Sequence, residues 1–150
     1  MIKVMFVCHG NICRSPMAEY IFADMVKKAG LADRVQVSSS AVSREEIGSD
    51  VYPPAQRELA RHGVPCPCRA ARQITEGEIT EYDHILVMDE SNLRRLSRIS
   101  PVAAEKARLL GEYGLDGREI EDPWYTGRFS VVYEQIALCC RELLAVISKG

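Results

Sequence analysis

The chain has 150 residues, of which 47% are hydrophobic, and its 19 basic and 21 acidic side chains give a formal net charge of −2. This composition excludes a disordered chain and suits a single domain over residues 1–150. The near balance of charge gives no overall attraction to nucleic acid or an anionic membrane, and no apolar run reaches the length of a membrane span, so we expect neither partner.

The amino terminus and the cysteines bear on where the protein works. MIKVMFV is too short for a signal peptide and runs directly into a polar loop, so we expect a cytoplasmic protein. Of the six cysteines, Cys139 and Cys140 are adjacent, which suits reduced thiols better than a disulfide framework. No metal or other cofactor is expected, although Cys66 and Cys68 leave a metal site as an alternative with only two ligands.

The hydrophobic pattern predicts strands that alternate with helices. In chain order it predicts a strand at 3–7, a helix at 16–29, a strand at 34–38, a helix at 54–62, a strand at 83–88, a helix at 90–96, a strand at 107–110 and a helix at 132–147. Ser15 is the predicted N-cap of the first helix, with Pro16 as its first residue, and Asp89 is the predicted cap of the third. Two irregular segments, 39–53 and 111–128, are long enough to be functional loops.

This alternation predicts a parallel sheet covered by helices on both faces. In such folds, ligands bind outside the carboxyl ends of the strands, near the point where the strand order reverses. Cys8 directly follows the first predicted strand. We therefore expect Cys8 to lie at the ligand-binding edge of the sheet.

The segment from Cys8 to Arg14 has the composition of an anion-binding loop. It leads into the start of a helix, whose free N–H groups and dipole attract negative charge. Gly10 permits turns that let successive N–H groups point inward, and Arg14 offers paired donors to phosphate-type oxygens. The same field favours a thiolate at Cys8, a nucleophile placed beneath a tetrahedral oxyanion. The pattern therefore predicts phosphoryl transfer to sulfur; the Gly-Lys-Ser/Thr of a nucleotide-binding loop does not follow it.

These residues resemble the signature of the low-molecular-weight protein tyrosine phosphatases. Matching stretches follow the family's order along nearly the whole chain: VCHGNICRSPMAE, RHGVP, ARQIT, ILVMDESNLRRL, LLGEYG, EDPWY, VYEQ and CCRELL. The resemblance implies a flavodoxin-like α/β fold with a four-stranded parallel sheet in the order 2-1-3-4. It also implies a phosphotyrosine phosphatase that forms a phosphocysteine intermediate without a cofactor.

The resemblance assigns chemical roles to five residues. Cys8 matches the family's nucleophile, and Arg14 matches the residue that clamps the phosphoryl oxygens. Asp122 matches the general acid that protonates the leaving phenol and then acts as base for the hydrolytic water. Ser15 matches a serine that hydrogen-bonds the nucleophile. Cys13 matches a cysteine that forms a reversible disulfide with the nucleophile under peroxide, so we expect redox regulation.

The other loop residues are expected to bind or support the phosphoryl group. With Ser15, this set comprises His9, Gly10, Asn11, Ile12 and Cys13. Asn11 matches a residue that holds the loop's shape, with Ser39 as one of its partners. Asp89 matches a family aspartate near the active site, although helix capping also accounts for it.

Three further residues are expected to wall the substrate cleft. Trp124 and Tyr125 are placed to stack on a phenyl phosphate, and such stacking adds about 0.5–1.5 kcal/mol beyond area burial; a core position for Trp124 is the alternative. Glu45, followed by Glu46, stands where many relatives carry an aromatic residue on the opposite wall. This acidic wall is expected to disfavour acidic peptides around the phosphotyrosine.

Two departures from the family concern the surroundings of the loop. His9 stands where relatives commonly carry an apolar residue or threonine, and we expect it to line the pocket. Relatives often have a histidine that supports the loop asparagine. This chain offers Cys68 or Arg69 in its place, so the support of the loop is not predicted by the resemblance.

The expected substrate is a phosphotyrosine protein or a small aryl phosphate, and the expected state is a monomer capable of weak self-association. One alternative is a phosphoarginine phosphatase, but those relatives carry threonine in place of Ile12. A second is thiol-dependent arsenate reduction, which needs cysteines around 80–90, where this chain has none. A third is a non-catalytic phosphopeptide binder, which is expected to lack one of the three catalytic residues.

Overall fold

The computed structural model describes residues 1–149. The strands are β1 (Ile2–Cys8), β2 (Val35–Ala41), β3 (His84–Val87) and β4 (Ala107–Leu109). The helices are α1 (Arg14–Lys28), α2 (Pro53–Arg61), α3 (Glu76–Glu81), α4 (Glu90–Ile99), α5 (Val102–Lys106), α6 (Pro123–Thr126) and α7 (Phe129–Ser148), and a 3₁₀ turn spans Leu110–Glu112. Within residues 1–149, none of these helices combines the length and the apolar character that crossing a membrane requires.

The four strands form one parallel sheet in the order β2-β1-β3-β4. The predicted fold class and strand order are thus confirmed. Cys8, at the carboxyl end of β1, pairs with Ala41 of β2, and the preceding Val7 pairs with Val87 of β3. The end of β1 therefore lies between the ends of two neighbouring strands, where parallel α/β sheets bind their ligands.

The alternating side chains of β1 enter two separate hydrophobic cores. Val4 and Phe6 pack with residues of α1, α2 and α7, and the Phe6 ring meets Phe22 edge to face, with centroids 5.6 Å apart. Met5 and Val7 pack with residues of α3, α4 and α5. Successive strand residues point to opposite faces, so a strand covered on both sides is apolar throughout.

The start of α1 differs from the sequence prediction. The helix begins at Arg14, and Cys13 is its N-cap without a side-chain hydrogen bond. Ser15 therefore lies inside the first turn, where its hydroxyl bonds to neighbouring polar groups instead of capping the helix. Pro16 is the third helical residue and is tolerated there, because first-turn N–H groups have no intrahelical partner.

Other boundaries follow from tertiary contacts that the local pattern does not contain. Strand β2 continues through Ala41, into the segment 39–53 that was predicted to be irregular, because it pairs with β1 along its whole length. Three short helices, α3, α5 and α6, were not predicted, since four to six residues are too few for a periodic pattern. Asp89 caps α4 as predicted, in a reciprocal pair of hydrogen bonds with Asn92.

The segment after β4 is held by a tight backbone contact at Gly111. Its carbonyl accepts hydrogen bonds from the backbone nitrogens of Leu115 and Gly117. A Cβ atom at position 111 would lie 1.7 Å from the carbonyl oxygen of Arg118. Only glycine fits this backbone approach, which sets the path of the chain towards residues 120–122.

We expect Gly111→Ala to destabilise the protein, because the backbone must move to admit the methyl group. Overpacking of this kind costs about 1–3 kcal/mol, and each kcal/mol lowers Tm by roughly 2–4 °C for a chain of this size. Thermal unfolding followed by circular dichroism measures the change.

Gly77→Ala in α3 is the matched control. A Cβ at this position meets nothing within 4 Å, and alanine is favoured over glycine inside a helix. Its Tm should be unchanged or raised. Equal melting temperatures for the two variants would contradict the close contact at Gly111.

Candidate active site

The loop that follows β1 surrounds the thiol of Cys8 with hydrogen-bonding groups. The Sγ atom lies 3.0 Å from Oγ of Ser15 and 3.3 Å from the backbone nitrogen of Asn11. The Cys8 side chain is only 4% exposed, yet it lines an open cleft of about 660 Å³. The sulfur is therefore supported by polar groups from inside the protein while it faces the cleft.

A chain of buried polar contacts leads from this sulfur into the protein. Asn11 has a left-handed backbone with φ of 61°, a conformation that asparagine tolerates. Its amide lies 2.8 Å from Oγ of Ser15 and 2.9 Å from Oγ of Ser39. Ser39 in turn donates to Oε1 of Glu19 at 2.5 Å. Burial raises the pKa of Glu19, against the opposing effects of the Ser39 hydrogen bond and nearby arginines.

The guanidinium of Arg14 is 3% exposed and joins three parts of the chain. Its NH1 group donates to Oδ2 of Asp89 and to the carbonyl of Ile120, each at 2.9 Å. Its NH2 group lies 3.4 Å from Oδ2 of Asp122. Burial alone lowers the pKa of Arg14, but Cys8 and the two carboxylates outweigh burial and raise it.

Asp122 lies 108 residues after Arg14 in the sequence and lines the same cleft. Its Oδ1 accepts a hydrogen bond from the backbone of Trp124 at 3.1 Å, so it caps α6. The preceding chain is tied to β3 where the Ile120 nitrogen donates to the carbonyl of Met88 at 2.9 Å. The carboxylate is thus positioned by its own short helix and by the sheet, with Oδ2 left to face Arg14.

The cleft has walls of different chemistry. Trp124 is 50% exposed and its ring packs on Tyr52 with centroids 4.8 Å apart, so it lies on the rim and not in the core. Tyr125, next to it, is largely exposed. On another side, Nε2 of His9 lies 2.6 Å from Oε2 of Glu45.

The structure brings nearly all of the residues predicted from the sequence to this cleft. Its lining includes Cys8, His9, Gly10, Ile12, Cys13, Arg14, Glu45, Asp122, Trp124 and Tyr125. Asn11, within the loop, and Ser15, directly after it, are buried and do not line the cleft. The lining also contains Ser91, Asn92 and Arg95 of α4, which sequence analysis missed. The predicted cap at Asp89 could have indicated these residues, because it places the first turns of α4 directly after β3, at the same edge of the sheet.

Cys13 lies beside the nucleophile candidate without being exposed. It is 5% exposed, and burial, together with the neighbouring Cys8, raises the pKa of its thiol strongly. All six cysteines are free thiols. Cys66 and Cys68 lie outside this cleft, and within residues 1–149 no group of three or more His, Cys, Asp or Glu side chains is placed to hold a metal ion.

Arg69 supports the loop from outside, where many relatives were expected to use histidine. Its NH2 group donates to the carbonyl of Asn11, and its NH1 group donates to the carbonyl of Ser49 at 3.1 Å. Its backbone nitrogen donates to Oδ1 of Asp50 at 3.3 Å. The arginine therefore ties the loop of residues 8–14 to the segment that carries Glu45, whereas Cys68 is exposed.

Comparisons with known proteins agree with this arrangement. Residues 3–150 match the family described as low molecular weight phosphotyrosine protein phosphatase. The human protein of that name is 43% identical over 148 residues, covering 95% of this chain and 93% of its own.

Two crystal structures extend the comparison to the fold. That of YfkJ from Bacillus subtilis superposes with a TM-score of 0.94 at 37% identity, covering 99% of this chain and 96% of its own. That of a drosophila arginine phosphatase superposes with a TM-score of 0.86 at 34% identity, covering 97% and 98%. The sequence match and the shared fold together show that this chain belongs to the low molecular weight phosphotyrosine protein phosphatase family.

Proposed function

We propose that this enzyme hydrolyses phosphotyrosine monoesters through a phosphocysteine intermediate. The observation that carries the proposal is the meeting of a thiol, a buried guanidinium and a carboxylate in one cleft. Cys8 and Arg14 belong to one loop, Asp122 comes from a distant part of the chain, and all three line the same cavity. These are a nucleophile, a clamp for phosphoryl oxygens and a proton donor, which phosphoryl transfer to sulfur requires.

In the first step the Cys8 thiolate attacks phosphorus and the bond to the phenolic oxygen breaks. Arg14 and the N–H groups expected to point inward from the loop bind the equatorial oxygens, where negative charge is held in the transition state. Asp122, protonated, gives its proton to the departing phenolic oxygen. Its 3.4 Å contact with Arg14 supports this role, since it places the carboxyl beside the clamp that orients the phosphoryl group.

In the second step a water molecule attacks the phosphocysteine and the sulfur–phosphorus bond breaks. Asp122, now a carboxylate, accepts a proton from this water, and inorganic phosphate leaves. Cys8 departs as a thiolate. The hydroxyl of Ser15, 3.0 Å from the sulfur, can donate a hydrogen bond to this leaving thiolate. The side-chain amide of Asn11, 2.8 Å from Oγ of Ser15, holds this hydroxyl in place.

The substrate that fits these walls is a phosphotyrosine protein or a small aryl phosphate. Trp124 and Tyr125 offer ring faces at the rim, and the apolar Ile12 lines the cleft near the loop. The likeness to a drosophila arginine phosphatase makes phosphoarginine the competing substrate. The resemblance gives phosphoarginine phosphatases a threonine in place of Ile12. Ile12 offers no hydrogen bond to a desolvated guanidino group, so it favours a phenyl group at this position.

Leaving-group dependence tests the roles of Cys8 and Asp122. Wild-type enzyme should hydrolyse p-nitrophenyl phosphate in EDTA, and Cys8→Ser should be inactive because the hydroxyl is a far weaker nucleophile. Asp122→Ala should lose rate by about 10²–10⁴-fold on phenyl phosphate, the usual contribution of a positioned proton donor. It should lose much less on p-nitrophenyl phosphate, whose leaving group needs little protonation.

Asn11 and Ser15, which support the Cys8 side chain from inside the protein, are left intact in both variants. Equal activity of Cys8→Ser and wild type would overturn the phosphocysteine route. A uniform loss by Asp122→Ala across leaving groups would remove its role as general acid. Faster turnover of phosphoarginine than of phosphotyrosine would transfer the proposal to the competing substrate.

Arg69 is proposed as a positioning residue for the phosphate-binding loop. Its guanidinium bonds the Asn11 carbonyl from outside the cleft and does not line the cavity. Arg69→Ala should lower kcat/KM roughly tenfold or more, because a hydrogen bond from a charged group is worth about 1.5–3 kcal/mol. Arg69→Lys should recover part of the loss, since the ammonium keeps the charge but not the paired donors.

The readout specific to positioning is the affinity for inorganic phosphate as a competitive inhibitor, which should weaken in parallel with KM. Arg72→Ala is the matched control, because the Arg72 guanidinium pairs with Glu78 and not with the loop. A similar loss in both variants would mean that Arg69 acts only through general stability.

Cys13 is proposed as the resolving thiol of a reversible redox brake. Peroxide oxidises the Cys8 thiolate to a sulfenic acid, and the peroxide is reduced to water. The Cys13 thiol then attacks that sulfur, a disulfide forms and water leaves. The raised pKa of Cys13 supports Cys8 as the first site of oxidation, since the protonated Cys13 thiol is a poor target for peroxide.

Peroxide should inactivate the wild-type enzyme, and dithiothreitol should restore its activity. Cys13→Ser should be inactivated too but should recover far less, because the sulfenic acid proceeds to irreversible forms. Mass spectrometry should detect the Cys8–Cys13 disulfide only in the wild type. Cys68→Ser, which removes an exposed thiol, is the control and should recover fully. Equal recovery in Cys13→Ser and wild type would exclude the resolving role.

A further inference from the structure

The strand order places opposite charges on two sides of the candidate active site. β1 lies between β2 and β3, so the segment after β2 and the helix after β3 flank the Cys8 loop from opposite sides. The first of these carries Glu45 and Glu46, and the second carries Arg95, and all three line the cleft. The charge polarity of the cleft therefore follows from the topology of the sheet.

The β2 side is acidic. The Glu45 side chain is 68% exposed and faces the cleft mouth, held by Nε2 of His9 at 2.6 Å. Glu46 also lines the cleft and accepts a hydrogen bond from Ser49 at 3.0 Å. Arg44, the basic neighbour of Glu45, is exposed but does not line the cavity.

The β3 side carries a positive charge, because Asp89 is already paired with Arg14 and Arg95 has no such partner in the described part of the chain. Asp89 lines the cleft, but its carboxylate accepts from Arg14 and from the first turn of α4. Arg95 is exposed on the same helix, and its side chain makes no hydrogen bond or ion pair with any other residue of 1–149. Its guanidinium is thus available to a ligand in the cleft.

Resting on the proposed function, we propose that the cleft selects phosphotyrosine segments whose two flanks carry opposite charges. With the phosphoryl group on Arg14 and the phenyl ring beside Trp124, the peptide leaves the cleft in two directions. A basic flanking side chain meets Glu45 and Glu46, and an acidic flanking side chain meets Arg95. The enzyme therefore prefers a peptide with the two flanking charges in one order around the phosphotyrosine over a peptide with the reverse order.

The expected size of the preference is set by the exposure of these groups. Ion pairs at an exposed site are worth about 0.2–1 kcal/mol each, so two such contacts together favour one peptide by roughly 2- to 30-fold. Added salt should reduce the preference, because exposed charges are screened beyond a few ångströms at high ionic strength.

Two phosphotyrosine peptides of identical composition and net charge test the proposal: Ala-Lys-pTyr-Glu-Ala and Ala-Glu-pTyr-Lys-Ala, each with blocked termini. Wild-type kcat/KM should differ between them by the expected factor. The double charge reversal Glu45→Lys with Arg95→Glu should cancel or invert the ratio, since Glu46 stays acidic beside the new lysine. Taking the ratio within each variant cancels any change in overall activity.

Arg94→Glu is the matched control, since it reverses a neighbouring exposed charge on α4 that does not line the cleft. Its ratio should equal that of the wild type. Equal rates for the two peptides in the wild type, a ratio that survives the double reversal, or inversion by Arg94→Glu would each overturn the proposal.

Binding of the same peptides to Cys8→Ser, measured by calorimetry, separates this proposal from the proposed function. If the wild type hydrolyses neither peptide nor p-nitrophenyl phosphate, the proposed function fails. The ratio of the two Kd values still tests the charge polarity in that case. Equal Kd values overturn the charge polarity even if the wild-type enzyme is active.

Discussion

The buried guanidinium of Arg14 is the group on which the rest of the site depends. It begins α1 and bonds Asp89 at the start of α4, the carbonyl of Ile120 and, more loosely, Asp122. Removing one partner of a buried ion pair typically costs about 3–5 kcal/mol, because the remaining charge is left uncompensated. The cation that is proposed to hold the phosphoryl group therefore also joins three segments: the start of α1, the start of α4 and residues 120–122.

The second constraint is the parallel sheet. Because β1 is central, the loop after it receives one wall from the segment after β2 and another from the helix after β3. The chain after β4 returns to the same edge through the bond between Ile120 and Met88. Residues at this edge can vary without disturbing the cores, since His9, Glu45 and Arg95 line the cleft and belong to neither hydrophobic core.

Much of this arrangement was predictable from local sequence. The strand ending at Cys8, the cap at Asp89 and the strand order implied by the family resemblance agree with the structure. The capping role of Ser15 was wrong, because a serine followed by proline has the local signature of a helix start while its hydroxyl is drawn to Cys8 and Asn11. The choice of Arg69 over Cys68 as support for the loop was not predictable, since the contact with Asn11 joins residues that are remote in sequence.

The amino-acid sequence is enough to predict the alternation of strands and helices, the apolar character of β1 on both faces and the identities of the groups that can do chemistry. These are local properties of residue type and spacing, so they need no knowledge of neighbours in space. Contacts between distant segments establish that Asp122 faces Arg14, that Glu45 is held by His9 and that Arg95 faces the cleft. Such relations depend on backbone paths between distant segments, which packing and hydrogen bonds across the sheet establish together.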